Sequence, residues 1–130
     1  MVTIIRTLIL MFILALSFLD LQAQIPDKFY NLRVLPLDIS KRELIGKMKG
    51  AAQGLGVRCE FCHVGEAGKD LSTFDFVSDE KEHKKIARVM FKMVNSVNNE
   101  FMPQVAKFTE HQPEIKCMTC HAGNKEPAGH

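Results

Sequence analysis

A chain of 130 residues, 46% apolar and 25% charged, is long enough for one domain. Its formal net charge of +2, with lysines scattered among acids, lacks the strongly basic face a nucleic-acid binder needs, so nucleic acid is excluded as a partner.

The apolar content is unevenly placed. Leu8 to Leu19 form a nearly unbroken apolar run behind Arg6, and the small residue Ala23 follows, the pattern of a secretory signal peptide over residues 1–23. The run is short for a membrane span, although Leu21 suits a cleavage site poorly, and a retained segment would tether the domain to the membrane instead. Residues 24–130 are then the folded domain. They are few for a large core, so bound cofactor is expected to supply part of the interior and to couple binding to folding.

From Gln24 to Leu37, Pro26 and Pro36 block a helix, and Arg33-Val34-Leu35 reads as extended. Ser40-Lys41-Arg42-Glu43 fits a capping box, predicting a helix from Lys41 to about Gln53. Leu44, Ile45, Met48, Ala51, Ala52 and Leu55 form its apolar stripe, and Gly54 and Gly56 end it. Next comes Cys59-Glu60-Phe61-Cys62-His63. In C-x-x-C-H each cysteine can add across a haem vinyl group while the adjoining histidine ligates the iron, which marks covalent c-type haem.

Residues 66–77 read as a surface loop whose Phe74 and Phe76 tuck under a haem edge. Ser78 or Asp79 is expected to cap a second helix reaching about Asn98, with Ile86, Met90, Met93, Val94, Val97 and Phe101 as its inner stripe. Pro103 is expected to end or bend that region, a short helix fits Gln104 to Thr109, and Pro113 breaks before the second pentad, Cys117-Met118-Thr119-Cys120-His121. All four cysteines fall in the two pentads. Zinc knuckles or disulfides would also use paired cysteines but leave each following histidine unexplained. The reading is two covalently bound c-type haems, held by Cys59, Cys62, Cys117 and Cys120, in a mainly α fold of two helix–turn–CxxCH repeats.

His63 and His121 supply the fifth iron ligands, and the sixth decides function: methionine or a second histidine closes the iron for electron transfer, an open position permits chemistry. Met48 lies eleven residues before Cys59, enough chain to span roughly 36 Å. Before the second pentad stand Met90 and Met93, inseparable on spacing, and the less securely held Met102, whereas Met118 lies inside the covalent loop. His83 stands among charges at a solvated helix start, and His111 and His130 rank below the methionines.

The run Asn31-Leu32-Arg33-Val34-Leu35-Pro36, the helix bearing Met48 and Gly56-Val57-Arg58-Cys59-Glu60-Phe61-Cys62-His63-Val64-Gly65 resemble the tetrahaem cytochrome subunit of bacterial photosynthetic reaction centres. The second half is similar as well, through Asp75-Phe76-Val77-Ser78-Asp79-Glu80, Ala87-Arg88-Val89-Met90-Phe91-Lys92-Met93-Val94-Asn95 and Cys117 to Asn124, so that almost all of residues 29–124 is covered. The resemblance implies a methionine from the preceding helix on most haems, hence Met48 for the first and Met90 for the second. Two pentads make half of that subunit, and a longer stretch between Met90 and Cys117 keeps Met93 as runner-up.

The expected function is one-electron transfer by an exported dihaem cytochrome that needs no bond-making residue. It would lie in the periplasm, or face it from a membrane anchor, and exchange electrons with redox proteins there or at the outer face of the inner membrane. The competing expectation is a peroxidase-like enzyme or a haem sensor with one open iron, for which Glu110, His111 and His83 are the loose acid–base candidates.

Overall fold

Ser40 opens the first helix as its neighbours require. Its hydroxyl accepts from the Glu43 amide at 3.2 Å, and the Glu43 carboxylate accepts in return from the Ser40 amide and hydroxyl. The computed structural model describes residue 25 and residues 28–127; the segment expected to be a signal peptide, Pro26 and His130 lie outside them. Helix α1 runs Lys41–Leu55, past the expected end, because Gly54 is helical and only Gly56 takes the left-handed conformation, at φ 65°. The Gly56 amide then donates to Gln53 and the Val57 amide to Ala52, a Schellman closure. Leu44, Ile45, Met48, Ala51, Ala52 and Leu55 are all partly buried, as their spacing predicts.

A 3-10 turn, Cys59–Phe61, carries the first pentad. The loop after it closes on itself. Asp75 donates its amide to Val64 at 2.9 Å, Asp70 accepts from the Ser72 amide to cap the 3-10 turn Leu71–Thr73, and Gly65 lies so near the Phe74 ring that a Cβ would stand 2.5 Å from it. Residues 33–35, expected as extended, bend instead.

Helix α2, Glu82–Ser96, begins after Lys81, later than the expected cap at Ser78 or Asp79. Those side chains are committed elsewhere. Ser78 Oγ accepts from the Glu80 amide, and the Asp79 carboxylate accepts from Asn31 Nδ2 and Arg88 at 2.8 Å each and meets Lys84 Nζ at 3.1 Å. Lys84, only 8% exposed, also donates to the Phe76, Val77 and Ser78 carbonyls, so residues 76–79 wrap its ammonium group. Arg33 Nε lies 3.8 Å from Asp79, and the N-terminal segment is thereby stapled to α2. The Arg88 hydrogen bond, above all, holds the Asp79 carboxyl well below the usual carboxylate range. A lowered pKa contributes stability that is complete above the unfolded value near about 4 and lost as pH falls through the folded one. Asp79→Asn should therefore lower the melting temperature at pH 7, and the gap to wild type should close in thermal scans taken progressively below pH 4.

Pro103 neither stops nor simply bends the chain. Its ring would collide with the carbonyl four residues back in a regular helix, and α2 instead passes into a π turn, Val97–Phe101, before α3, Met102–Val105. The Met102 amide reaches Val97, and Gln104 Nε2 donates to the Glu100 carbonyl at 2.7 Å. Of the expected helix over 104–109, α3 covers Gln104 and Val105 and a 3-10 turn, Ala106–Phe108, follows. From the start of the π turn, Asn98 holds the segment before the second pentad by two bonds to the Ile115 backbone, each 2.8 Å.

The second pentad is itself helix α4, Cys117–His121, packed against α1. Among the described residues Phe74 is the one buried apolar side chain. Of the α2 stripe expected to face inward, Met90, Val94 and Val97 are partly buried but Ile86 at 56%, Met93 at 47% and Phe101 are exposed, and Val89, outside the stripe, is exposed at 63%. The opposite side of the helix, bearing Lys84, Ala87, Arg88 and Phe91, meets the rest of the protein. Its charges fit there only because residues 76–79 and Asn31 supply their partners.

Candidate functional site

The first pentad sits between the end of α1 and the start of α2. Lys81 Nζ donates to the Glu60 carbonyl inside the Cys59–Cys62 loop, the His83 ring lies 3.9 Å from the Phe61 ring, and Lys125 Nζ stands over that same Phe61 ring, 5.2 Å from its centroid. His63 is partly buried, with the Phe76 ring edge-on at 5.0 Å. Burial, reinforced by the charges of Lys84, Arg88 and Lys81, pushes its imidazole pKa down to about 4. It is therefore neutral at pH 7, the form that ligates a metal. Its Nδ1 is buried without a hydrogen-bond partner.

His121, at the end of α4, is buried and differently supported. Its Nδ1 lies 3.0 Å from the Asn124 carbonyl. A carbonyl only accepts, so Nδ1 carries the proton and Nε2 keeps a free lone pair for a metal. The α4 turn starts with the Lys116 amide donating to Thr119 Oγ1 and ends at Ala122 in the left-handed region.

The two pentads are joined through the main chain. The Gly123 amide donates to the Gly54 carbonyl at 2.8 Å, and a Cβ on Gly54 would stand 2.6 Å from Cys117 Cβ. Met48 is partly buried on α1. Met90 is partly buried and Met93 exposed on α2, Met102 is partly buried, and Met118 points out from α4. Glu110 and His111 are exposed, and His83, expected to be solvated, is exposed yet stacked on Phe61. Sequence reading passed over Lys84 as one charge among several. The recurrence of Lys84, Ala87, Arg88 and Phe91 at three- and four-residue steps was the available sign of a buried face.

The donor set fits covalent haem. All four cysteines are free thiols, Cys59 and Cys120 exposed, and burial pushes the Cys62 thiol pKa up. Among the described residues no three His, Cys, Asp or Glu side chains converge on a metal site, so the alternative of a zinc knuckle finds no support. An open hollow of about 460 Å³ lies over the first pentad, lined in part by Glu60, Phe61, Lys81 and His83. The exposed apolar face of α2 is a surface a flat apolar macrocycle can cover. Among the described residues no helix is long and apolar enough to cross a membrane.

Comparison with known proteins agrees with the donor set. The family described as photosynthetic reaction centre cytochrome C subunit matches residues 22–130. Cytochrome c-554 of Chloroflexus aurantiacus is 32% identical over 92 residues, which is 70% of this chain and 20% of that protein. The chain thus spans about a fifth of its relative's length. No solved structure gives a significant match. Membership of such a family implies covalently held haem iron. With a helical framework, paired free thiols each followed by a histidine, and a match over nearly its whole length, this chain belongs to the photosynthetic reaction centre cytochrome c subunit family.

Proposed function

We propose that the chain is an extracytoplasmic dihaem c-type cytochrome that carries single electrons between redox proteins. Cys59, Cys62 and His63 hold one haem, and Cys117, Cys120 and His121 the other. The observation that carries this reading is the pairing of two free-thiol pentads, each with a buried or partly buried histidine, beside apolar helix faces that the protein's own side chains leave uncovered.

When bound, haem supplies an iron that cycles between ferrous and ferric by one electron. The chain's own residues anchor, orient and shield it. His63 presents a neutral imidazole, the Asn124 carbonyl fixes the orientation of His121, and Ile86, Val89, Met90 and Met93 line one apolar face of α2. We assign Met48 as sixth ligand of the first iron and Met90 of the second, with Met93 as runner-up. Met90 and Met93 both belong to the face of α2 that turns from the protein core, which supports either. Residues 1–23 direct export, placing the domain in the periplasm or, if they are retained, on the periplasmic side of the membrane.

The test is the weak methionine-to-ferric-iron absorption band at the red end of the oxidised spectrum. Met48→Ala should remove about half of it, and Met90→Ala or Met93→Ala the remainder. A high-spin wild-type spectrum without that band would displace the carrier reading in favour of an open, reactive iron.

A further inference from the structure

The two pentads differ in what surrounds their histidines. Beside the first, Lys81 bonds to the Glu60 carbonyl within the covalent loop, and Lys84 bonds to the carbonyl of Phe76, whose ring edges His63 at 5.0 Å. Arg88 and Arg33 share the Lys84 partner Asp79, so three cations face one carboxylate here, with Lys81 a fourth cation on the Glu60 carbonyl. Lys84 is almost fully buried, so solvent screens its charge little. Beside the second pentad the charges Lys116 and Glu114 pair with each other at 3.0 Å, both well exposed.

The histidines differ in the same sense. The bond from His121 Nδ1–H to Asn124 makes that imidazole a stronger electron donor, which favours ferric iron. His63 Nδ1 has no such partner and donates more weakly. Nearby positive charge also disfavours the more positive ferric state. Both differences therefore act in one direction.

Resting on the dihaem reading, we propose that Lys84, with Lys81 and the unpartnered His63, makes the first haem the higher-potential site, so that electrons run from the Cys117–His121 end to the Cys59–His63 end. In that step the second site is oxidised by one electron as the first is reduced by one. No proton or co-reactant is consumed; a reduced donor protein refills the second site and an oxidised acceptor protein empties the first.

The experiment is spectroelectrochemical titration of the full holoprotein, with covalent haem counted first by its alkaline pyridine spectrum. Two haems per chain and two resolved one-electron waves are expected. Lys84→Met should raise the ferric-to-ferrous ratio of the upper wave about tenfold at fixed potential, a downward shift of about 59 mV for a one-electron couple. Asp79→Asn should move the same wave upward, Lys84→Arg should restore it, and the lower wave should move far less. A structural defect alone would not reverse sign between Lys84→Met and Asp79→Asn. If Lys84→Met fails to fold, Lys81→Met, at a partly buried position, should still lower the upper wave. Movement of the lower wave, equal movement of both, or movement of neither overturns the ordering while leaving two haems in place. A count below two overturns the dihaem reading and the ordering with it.

Discussion

Gly54→Val is expected to unfold or expel the second pentad while leaving the first in place. Even a bare Cβ on residue 54 would lie 2.6 Å from Cys117 Cβ and 2.9 Å from the Met118 amide nitrogen. One of those neighbours is backbone and the other a thiol carrier held by a five-residue helix, so neither can swing aside as a long side chain would. Overpacking at a backbone contact costs about 3 kcal/mol or more, which in a domain of this size lowers the melting temperature by roughly 12 °C or more. Thermal unfolding with a per-chain haem count checks it. A variant that melts within a few degrees of wild type and carries its full complement would mean that α1 and α4 do not touch as described.

The haem-free chain should lack a cooperative unfolding transition. A domain that size usually gathers several large apolar side chains out of water, but here Phe74 alone is buried among the described residues, while Leu37, Ile86, Val89, Phe101 and Phe108 are exposed. The apolar area needed to offset chain entropy is thus absent from protein–protein contacts, and nearly all of the usual stability of about 5–15 kcal/mol depends on the cofactor. Calorimetry of a Cys59→Ala, Cys62→Ala, Cys117→Ala, Cys120→Ala chain should show a broad, featureless trace. A sharp endotherm would sink the idea that haem completes the core.

Local chemistry was the legible part of the sequence. The capping box at Ser40, the stripe of α1 and both pentads lie where short-range rules put them, because each depends on neighbours within a few residues. The start of α2 was misplaced because Asp79 answers to Asn31 and Arg88, contacts 48 and 9 residues away that no local rule contains. Likewise Pro103 was read as ending or bending the region, when a π turn lets the helix path continue. The stripe of α2 was recognised as a stripe, but the protein buries only part of it, leaving Ile86, Met93 and Phe101 exposed. Periodicity reports that a face is apolar and is silent about whether protein or cofactor covers it. The close approach of Gly54 to Cys117 spans 63 positions and leaves no trace beyond a glycine.

The junction of Gly54, Gly56 and Gly123 acts as a spacer. It is built from amides, carbonyls and missing side chains: Gly123 donates to Gly54, and a Cβ on Gly56 would strike the Gly123 carbonyl at 2.1 Å. The gap between the two pentads is consequently gauged by main-chain atoms, whose dimensions no substitution elsewhere can alter. Substitutions of the surrounding side chains leave those main-chain contacts in place, so the spacing depends on the three glycines rather than on the surface around them.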